Sequence, residues 1–367
     1  TPYFLSLAAF PTLFPVNKKV VEANPDGWAL KPETYVTNGP FKMVEWVHNN
    51  RIVAVKNERY WDAKNVKLSK VIFTLVEDHA TELTLWETDQ IEITDQVPPQ
   101  EIERLRREKK LKSSPYIAVY YYIFNVEKKP LDDPRVRKAL AYAIDRQAIV
   151  EKVVKGGQKP ALAFAPYGLP DAQPGQDFRQ VGGDYFKDND VETARKLLAE
   201  AGYPNGRGFP TIEILYNTLE SHKAVAEAIQ EMWKRNLGIN ATLTNQEWKV
   251  YLQSRDEGNF QVARAGWVGD YLDPMTFMDV HVTGGGNNDS NYSNPKYDQL
   301  IETAKNSGDP RVRMKALHDA EKILMEDMPI MPIYFYVNLF LEKDYVHDVI
   351  HSALGFVDFK NAWISRH

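Results

Sequence analysis

The chain has 367 residues, of which 43% are hydrophobic and 26% charged, as expected for a water-soluble globular protein with room for two cores. The formal net charge of −5 is mixed along the chain without a basic stripe, which argues against a nucleic-acid partner. Cysteine is absent, which excludes disulfides, thiol catalysis and cysteine-based metal sites.

The apolar stretches and the first residues indicate whether the chain contains a membrane span or a signal peptide. No apolar run is long enough for a transmembrane helix, since even Met328–Val337 is short and contains prolines. Thr1 is followed at once by Pro2-Tyr3-Phe4, which is typical of the middle of a fold. We therefore expect a mature or shortened chain.

The first part of the chain, to about Ser114, is rich in predicted strands. Arg51–Lys56 alternates as a half-buried strand does, and the apolar run Val71–Val76 predicts a strand buried on both faces. Pro99–Glu108 predicts a helix with a basic end.

The following part predicts alternating strands and helices. Tyr116–Asn125 is predicted to be a tyrosine-rich strand, and Asp133–Lys155 a helix capped by Asp133, while residues 156–189 predict a long surface loop. A strand–helix–strand unit with parallel strands is expected after that loop. The remaining predicted helices are Val191–Ala201, Ser221–Asn236, Gln246–Arg255, Pro295–Lys305 and Pro310–Glu326, and the remaining strands are Thr211–Asn217, Ile239–Thr244 and Ile330–Leu341, with short β-like pieces after Asp344.

This pattern predicts a mixed α/β protein with two lobes. One lobe would comprise residues 1–117 and 338–367, and the other residues 118–337. Two passages of the chain between the lobes, near residues 117 and 337, would form a two-stranded hinge suited to closure around a ligand.

Motifs for catalysis are missing from the sequence. It contains no G-x-S-x-G, no G-x-x-x-x-G-K-[ST], no G-x-G-x-x-G and no H-E-x-x-H, and its 8 histidines are scattered. We therefore expect no cofactor, no metal ion and no enzymatic activity.

The most unusual passage is Phe260–Phe277, in which Gly266 and Gly269 flank Trp267 and precede Asp270. Glycines allow close approach of the backbone to another group. Two interpretations remain open: a tight turn with a surface aspartate and a core tryptophan, or a site where Asp270 faces a cation. Asp270 and Asp273 also allow a glycosidase hypothesis, but acids three residues apart in one turn do not flank a bond.

Arg264 lies inside the apolar strand that leads into this passage. A buried guanidinium needs an anionic partner, which could be a structural carboxylate or a ligand. By themselves, His222 and Trp248 are typical of a surface residue and a core residue respectively.

Several segments together resemble the extracytoplasmic oligopeptide-binding proteins of ATP-binding-cassette importers, the family 5 solute-binding proteins, along essentially the whole chain. The resemblance implies a two-lobed periplasmic-binding-protein-like fold with its first lobe incomplete. The segments that carry it are Thr37–Trp46 (TNGPFKMVEW), Asn57–Asp62 (NERYWD), Asp133–Ile149, Ala194–Tyr203 (ARKLLAEAGY), Asn245–Trp248 (NQEW), Ala263–Trp267 (ARAGW) and Tyr292–Leu300 (YSNPKYDQL).

The resemblance also implies roles for individual residues. Asp270 matches the acid that pairs with the α-ammonium group of a peptide. Gly266 and Val268 match positions that offer backbone hydrogen bonds, and Trp267 and Trp248 match pocket walls. Arg264, His222 and Arg255 match receptors for the C-terminal carboxylate. Tyr336 and Tyr121 match rings that line the cleft.

The implied partners are an oligopeptide ligand and the permease subunits of the importer. The implied location is outside the cytoplasmic membrane, either periplasmic or lipid-anchored, and a monomer is expected. Two alternatives stay open: a binder of another solute such as an oligosaccharide or a nickel complex, and a hydrolase that uses Asp270 and Asp273. Asp270 together with Arg264 favours a zwitterionic ligand.

Overall fold

The computed structural model describes residues 2–365, which form a mixed α/β chain with two compact units. One unit consists of the chain up to Leu7 together with Tyr116–Val337, and the other of Ala8–Pro115 together with the chain from Asn338 onward. The predicted first lobe began at residue 1, whereas here the chain up to Leu7 groups with Tyr116–Val337. The chain therefore passes between the units at three places.

The strands of the described chain are β1 (Phe41–Val47), β2 (Arg51–Lys56), β3 (Lys70–Thr74), β4 (Leu111–Phe124), β5 (Lys159–Pro160), β6 (Ile212–Asn217), β7 (Ala241–Gln246), β8 (Val262–Val268), β9 (Ile330–Leu341), β10 (Val346–His347), β11 (Ile350–His351), β12 (Val357–Asp358) and β13 (Trp363–Ile364). The α-helices are α1 (Phe4–Ala8), α2 (Lys18–Ala23), α3 (His79–Glu87), α4 (Ile102–Arg107), α5 (Pro134–Tyr142), α6 (Arg146–Ala148), α7 (Phe178–Gly182), α8 (Val191–Glu200), α9 (Glu220–Leu237), α10 (Trp248–Asp256), α11 (Met275–Met278), α12 (Pro295–Asn306) and α13 (Pro310–Asp327). Short 3-10 turns lie at Pro11–Leu13, Ala63–Asn65, Pro99–Glu101, Pro204–Gly206 and Asp279–His281, and a π-helix at Ile149–Val154.

A six-stranded sheet with the order β5-β9-β4-β8-β6-β7 organises the unit that contains Tyr116–Val337. Strands β6 and β7 are parallel and are joined by α9, which confirms the predicted strand–helix–strand unit. Strands β4 and β8 are antiparallel, with Tyr120 opposite Gly266. This pairing places the unusual glycine–tryptophan passage beside the tyrosine-rich strand.

The predicted helix Asp133–Lys155 is interrupted, which corrects that prediction. Asp133 does cap α5, accepting a hydrogen bond of 2.8 Å from the Arg135 N–H. Further along, the Asp145 carboxylate accepts from the Ala148 N–H at 2.8 Å and starts a second helical segment, which continues as the π-helix. A capping side chain inside the apolar pattern therefore restarts the helix.

Buried arginines attach this helical region to the sheet. Arg146 is fully buried, and its Nε donates to the Pro332 carbonyl at 2.6 Å while its Nη1 donates to Asp188 at 3.1 Å. Arg137 donates to the carbonyl of Asp327 at 2.6 Å. Arg137 and Arg146 thus satisfy carbonyl groups of the chain around Asp327 and Pro332 and serve the fold.

The other unit contains the antiparallel sheet β1-β2-β3. Its buried cluster comprises Leu83, Trp86, Val97, Ile102, Leu105 and Leu341. The prediction of a strand buried on both faces at Val71–Val76 is wrong. Strand β3 is an edge strand, and Ile72 is 50% exposed, because the described residues place no layer over it. Among the described residues, none of the helices is long and apolar enough to cross a bilayer.

Candidate ligand-binding site

The register of β4 and β8 decides which predicted site residues share a face of the sheet. Tyr122 lies opposite Arg264 and Tyr120 opposite Gly266, whereas Tyr121 lies opposite Ala265. Because directly opposed side chains project to the same face, Arg264, Gly266 and Tyr120 share one face. Trp267 projects to the other face with Tyr121.

Arg264 is held by neutral groups. Its Nη2 donates to the Tyr336 hydroxyl at 2.7 Å and its Nη1 to the Asn217 amide oxygen at 3.5 Å. The guanidinium lies 4.7 Å from the centre of the Tyr120 ring. Within residues 2–365 no carboxylate forms a salt bridge with Arg264, and its buried Nε has no hydrogen-bond partner. A permanently charged and partly buried group thus lacks a counterion in the described part of the chain.

Gly266 leaves room for this guanidinium. A Cβ at position 266 would lie 3.2 Å from Nη2 of Arg264 and 3.4 Å from the Tyr336 hydroxyl oxygen. Any side chain here would crowd the hydrogen bond between Arg264 and Tyr336, which agrees with the expectation that glycine permits a close approach.

His222 joins the same cluster of rings. It is 7% exposed, and its Nδ1 lies 3.3 Å from the Tyr120 hydroxyl. Tyr120 also stacks on Tyr334 with ring centres 4.6 Å apart. Burial raises the pKa of Tyr120, so its hydroxyl stays neutral. The isolated pattern suggested a surface histidine at this helix start, whereas the structure buries it beside Tyr120.

Tyr121 requires a correction to the cleft-lining prediction. It is 2% exposed, and its ring packs against Phe164 at 5.1 Å and His281 at 6.3 Å, on the face opposite to Arg264. Tyr120 occupies the position beside Arg264 instead. The strand contains three consecutive tyrosines, and only the pairing register distinguishes which of them faces the arginine.

The edge of β8 beyond Ala263 is free of a second strand in the described part of the chain. β8 pairs with β4 along Val262–Val268 but with β6 only at Val262 and Ala263. The Gly269 N–H donates to the Ile117 carbonyl at 2.9 Å, so backbone groups at alternate positions point toward β4. The backbone groups of Gly266 and Val268 therefore point away from β4, and both residues are exposed.

Asp270 follows this strand directly. Its backbone N–H donates to the Thr276 hydroxyl at 3.0 Å, and its side chain is partly buried. Burial raises the pKa of the Asp270 carboxyl group. No salt bridge to Asp270 occurs among residues 2–365, so the carboxylate loses solvation without gaining a cation.

Asp279 is a second carboxyl group near Asp270, one helical turn after Thr276. Burial raises the pKa of Asp279 to about 6, and the charge of Asp270 adds to this while Lys305 opposes it. The sequence offered no signal for Asp279, because its proximity to Asp270 arises from the turn at Met275–Met278.

Asp273 has a different environment. Its two oxygens accept hydrogen bonds from the guanidinium of Arg313, one of them at 2.7 Å, and both side chains are buried. Oδ1 also accepts from the Met275 N–H at 2.9 Å. Asp273 is therefore a structural ion pair, which argues against the hydrolase hypothesis with Asp270 and Asp273 as an acid–base pair.

Arg255 is also paired. Its Nε donates to Asp289 at 2.8 Å, and its Nη2 contacts the same oxygen. The guanidinium lies 5.7 Å from the centre of the Tyr251 ring. Arg255 is predicted to receive a ligand carboxylate, but in the structure its guanidinium already binds the carboxylate of Asp289.

The predicted wall residues differ in exposure. Trp248 is 49% exposed and stacks on Tyr251 with ring centres 5.9 Å apart, and Val268 is 36% exposed. Trp267 is partly buried, and its indole Nε1 is shielded from solvent without a hydrogen-bond partner among the described residues. In the described part of the chain, no group of three or more histidine, cysteine or acidic residues is arranged to hold a metal ion.

Among residues 2–365, Arg264 has no carboxylate partner and Asp270 has no cation, and the strand between them has an unpaired edge; these are features of a protein that binds a solute. Residues 1–289 match the family model described as bacterial extracellular solute-binding proteins, family 5, middle part. The chain is 38% identical over 372 residues to the oligopeptide-binding protein OppA of Bacillus subtilis, covering 99% of this chain and 67% of that protein.

Solved structures agree with this result. The Escherichia coli murein tripeptide-binding protein MppA matches with a TM-score of 0.89 and 35% identity, over 100% of this chain and 72% of that chain. Haemophilus influenzae OppA in complex with the peptide RPPGFSPFR matches with a TM-score of 0.85 and 34% identity, over 99% of this chain and 71% of that chain. The chain belongs to family 5 of the bacterial extracellular solute-binding proteins, with the two-lobed mixed α/β fold of that family. It spans about two thirds of the length of the curated relatives.

Proposed function

We propose that this protein binds oligopeptides outside the cytoplasmic membrane and passes them to the permease of an ATP-binding-cassette importer. The observation that carries the proposal is the shielded guanidinium of Arg264, which has neutral hydrogen-bond partners and no carboxylate among the described residues. The C-terminal carboxylate of a peptide would supply the missing anion.

Asp270 supports a ligand that carries both charges. Its carboxylate is desolvated and has no cation within residues 2–365, which suits the α-ammonium group of a peptide. The neighbouring Asp279 adds negative potential when it is ionised. A zwitterionic chain would therefore satisfy both ends of the site at once.

The free edge of β8 supports recognition of an extended backbone. Gly266 and Val268 direct their N–H and C=O groups away from β4, where a peptide could add as a further strand. Backbone hydrogen bonds read no side chains, so this mode accepts many sequences. Trp248 and Trp267 would then border the side-chain pockets, with Tyr336 and His222 holding Arg264 and Tyr120 in place.

The names of the relatives support the same ligand class. They include oligopeptide-binding proteins of Bacillus subtilis and Salmonella typhimurium, and a structural match from Borrelia burgdorferi is described as a periplasmic oligopeptide-binding protein of an oligopeptide ABC transporter. The proposal also includes delivery to a permease, action as a monomer without catalysis, and a periplasmic or lipid-anchored location; the relatives named as periplasmic, and the match named as part of an ABC transporter, support the transport role and the location outside the cytoplasm.

We also propose that the two units are the two predicted lobes. Strands β4 and β9 contain the passages at Pro115–Tyr116 and Val337–Asn338 and would serve as the two-stranded hinge.

One relative supports a second candidate ligand. The probable deoxycholate-binding periplasmic protein YgiS of Escherichia coli is 32% identical over 372 residues. An organic carboxylate of that kind would satisfy Arg264 and leave Asp270 without a cation. Binding that requires both charged residues would therefore favour a peptide, and binding that requires only Arg264 would favour an anionic solute.

Calorimetry with short peptides as free acids and as C-terminal amides tests the proposal. The wild-type chain should bind the acid more tightly than the amide by about tenfold or more, since a desolvated charge pair is lost. Arg264→Gln should abolish that difference, and Lys196→Gln, which changes an exposed cation in α8, should preserve it. Equal affinities of the wild type for acid and amide at every length would refute the role of Arg264.

A further inference from the structure

The segment Asn57–Asp62 forms a turn that is held by its own hydrogen bonds, in the unit that contains Ala8–Pro115. Asn57 is 8% exposed, and its amide nitrogen donates to the Gly39 carbonyl at 2.9 Å. Its amide oxygen accepts from the Arg59 N–H at 3.1 Å. The first residue of the turn therefore fixes the course of the backbone that follows.

Asp62 holds the other end of the turn. It is 7% exposed, and its two oxygens accept from Asn65 Nδ2 at 2.6 Å and from Lys360 Nζ at 2.8 Å. The Lys360 ammonium group also lies 5.6 Å from the centre of the Trp61 ring. Because both ends of the turn are bonded, Trp61 is presented from a fixed backbone, and little conformational freedom is lost when it binds a partner.

The Trp61 side chain is 82% exposed, although tryptophan is among the most deeply buried residues on average. The turn does not need this ring for its own stability, since Asn57 and Asp62 supply the bonds that hold it. An indole ring that is presented rigidly and left in solvent is typical of a contact with a partner outside the chain.

The stretch from residue 57 to 70 also carries an excess of exposed positive charge. Arg59, Lys64 and Lys67 are exposed, and within residues 2–365 none of them forms a salt bridge. Glu58 is the only exposed carboxylate between residues 57 and 70. This local excess contrasts with the net charge of −5 for the whole chain.

A second tryptophan adjoins these cations. Nζ of Lys67 lies 5.1 Å from the centre of the Trp363 ring, and the indole Nε1 of Trp363 donates to Asp348 at 2.8 Å. Indole rings together with ammonium and guanidinium groups are the side chains that favour the boundary between water and a bilayer. The name Trp61 surface is used below for the set Arg59, Trp61, Lys64, Lys67, Lys360 and Trp363.

We propose that the Trp61 surface binds the anionic headgroups of a phospholipid bilayer. The Trp61 ring enters the headgroup region, and the cations contact the lipid phosphates. A bilayer fits this surface better than a folded protein does, because long cationic side chains without fixed partners suit phosphates that have no fixed positions. The inference is independent of the solute that the protein carries, since Arg264 and Asp270 lie in the other unit.

Co-sedimentation of the full chain with vesicles at low ionic strength tests this inference. Vesicles of equal parts phosphatidylcholine and phosphatidylglycerol are compared with vesicles of phosphatidylcholine alone. The variants are Trp61→Ser and the double variant Lys64→Gln/Lys67→Gln. The matched control is Lys152→Gln/Lys196→Gln, which removes two exposed cations of the other unit. Thermal melting of each variant verifies that it is folded.

The wild type should bind the anionic vesicles in preference to the neutral ones, and its binding should weaken as salt is added. Loss of both lysines should lower the partition coefficient by about 25-fold, since each cation near an anionic surface contributes about fivefold. Trp61→Ser should lower it by about tenfold, because the insertion of the ring is lost. The control should remain within about twofold of the wild type.

A wild type that binds neither kind of vesicle, or both kinds equally, overturns the inference. A loss in the control as large as that in Lys64→Gln/Lys67→Gln also overturns it. Sedimentation velocity covers one more outcome: a dimer that Trp61→Ser dissociates, without binding to vesicles, would assign the surface to a second copy of the chain. Calorimetry with peptides distinguishes this inference from the proposed function, because the Trp61 variants should keep the wild-type affinity for peptides.

Discussion

Replacement of Asp270 by asparagine separates the cost of this carboxylate to the fold from its contribution to binding. The carboxylate is partly buried, burial raises its pKa, and residues 2–365 provide no cation for it. Asparagine preserves the shape and removes the charge. The ligand-free variant should therefore be at least as stable as the wild type, whereas its affinity for a peptide with a free α-ammonium group should fall.

The size of the affinity loss follows from the exposure of Asp270. Removing one partner of a buried, hydrogen-bonded charge pair costs about 2–5 kcal/mol, and a partly exposed carboxylate belongs at the lower end. A loss of about 2 kcal/mol corresponds to an approximately 30-fold larger dissociation constant. Calorimetry with a peptide and its N-acetylated form measures this, since the variant should lose the preference for the free amine. Asp184→Asn, at an exposed carboxylate of the same unit, is the matched control.

Both the stability gain of Asp270→Asn and the peptide affinity of the wild type should depend on pH. Because the folded-state pKa of Asp270 is raised, the protonated form favours folding, so the stability gain of Asp270→Asn over the wild type should shrink as the pH falls through that raised pKa. The affinity of the wild type should fall below about pH 6, where Asp279 becomes protonated and the negative potential decreases. A variant that melts well below the wild type at pH 7, or one with unchanged peptide affinity, would refute the reasoning.

Two further predictions test the surroundings of the site. Gly266→Ala places a methyl group 3.2 Å from Nη2 of Arg264 and should weaken peptide acids by about tenfold while affecting amides less, as measured by calorimetry; equal weakening of both would contradict this mechanism. Arg313→Met leaves Asp273 buried without its cation and should lower the free energy of unfolding by about 3–5 kcal/mol in denaturant titrations; the double variant Arg313→Met/Asp273→Asn should recover much of that loss, and a stability loss below about 1 kcal/mol in the single variant would contradict the structural role.

Of the segments that carry the family resemblance, Asp133–Ile149 serves mainly the fold, whereas Ala263–Trp267 contains the site residues Arg264 and Gly266. Arg137 and Arg146, in the helical segment Asp133–Ile149, donate to buried carbonyl groups of the chain around Asp327 and Pro332. The segment Asp133–Ile149 therefore bears on the architecture, and the ligand must be argued from Asp270, Arg264 and the edge of β8.

Local periodicity and capping residues were sufficient for much of the secondary structure. The strand–helix–strand unit from Ile212 to Gln246 and the helices at Pro295–Asn306 and Pro310–Asp327 lie close to their predicted bounds. These elements are predictable because a helix cap and a hydrophobic stripe are both read from residues close together in the sequence. The break after Tyr142 has a local signal in the cap Asp145, and a long-range contact supports it, because Asp188 accepts from the Arg146 N–H at 3.0 Å.

The sequence by itself determined that Arg264 needs an anion and that Asp270 lies at a bend after a glycine–tryptophan strand. Only the tertiary structure decided that Arg264 has no carboxylate among the described residues, while Arg255 is paired with Asp289 and Asp273 with Arg313. The physical reason is that charge pairing and the facing of side chains depend on contacts between residues distant in sequence. A change of one residue in strand register would exchange Tyr120 for Tyr121 without altering any local pattern.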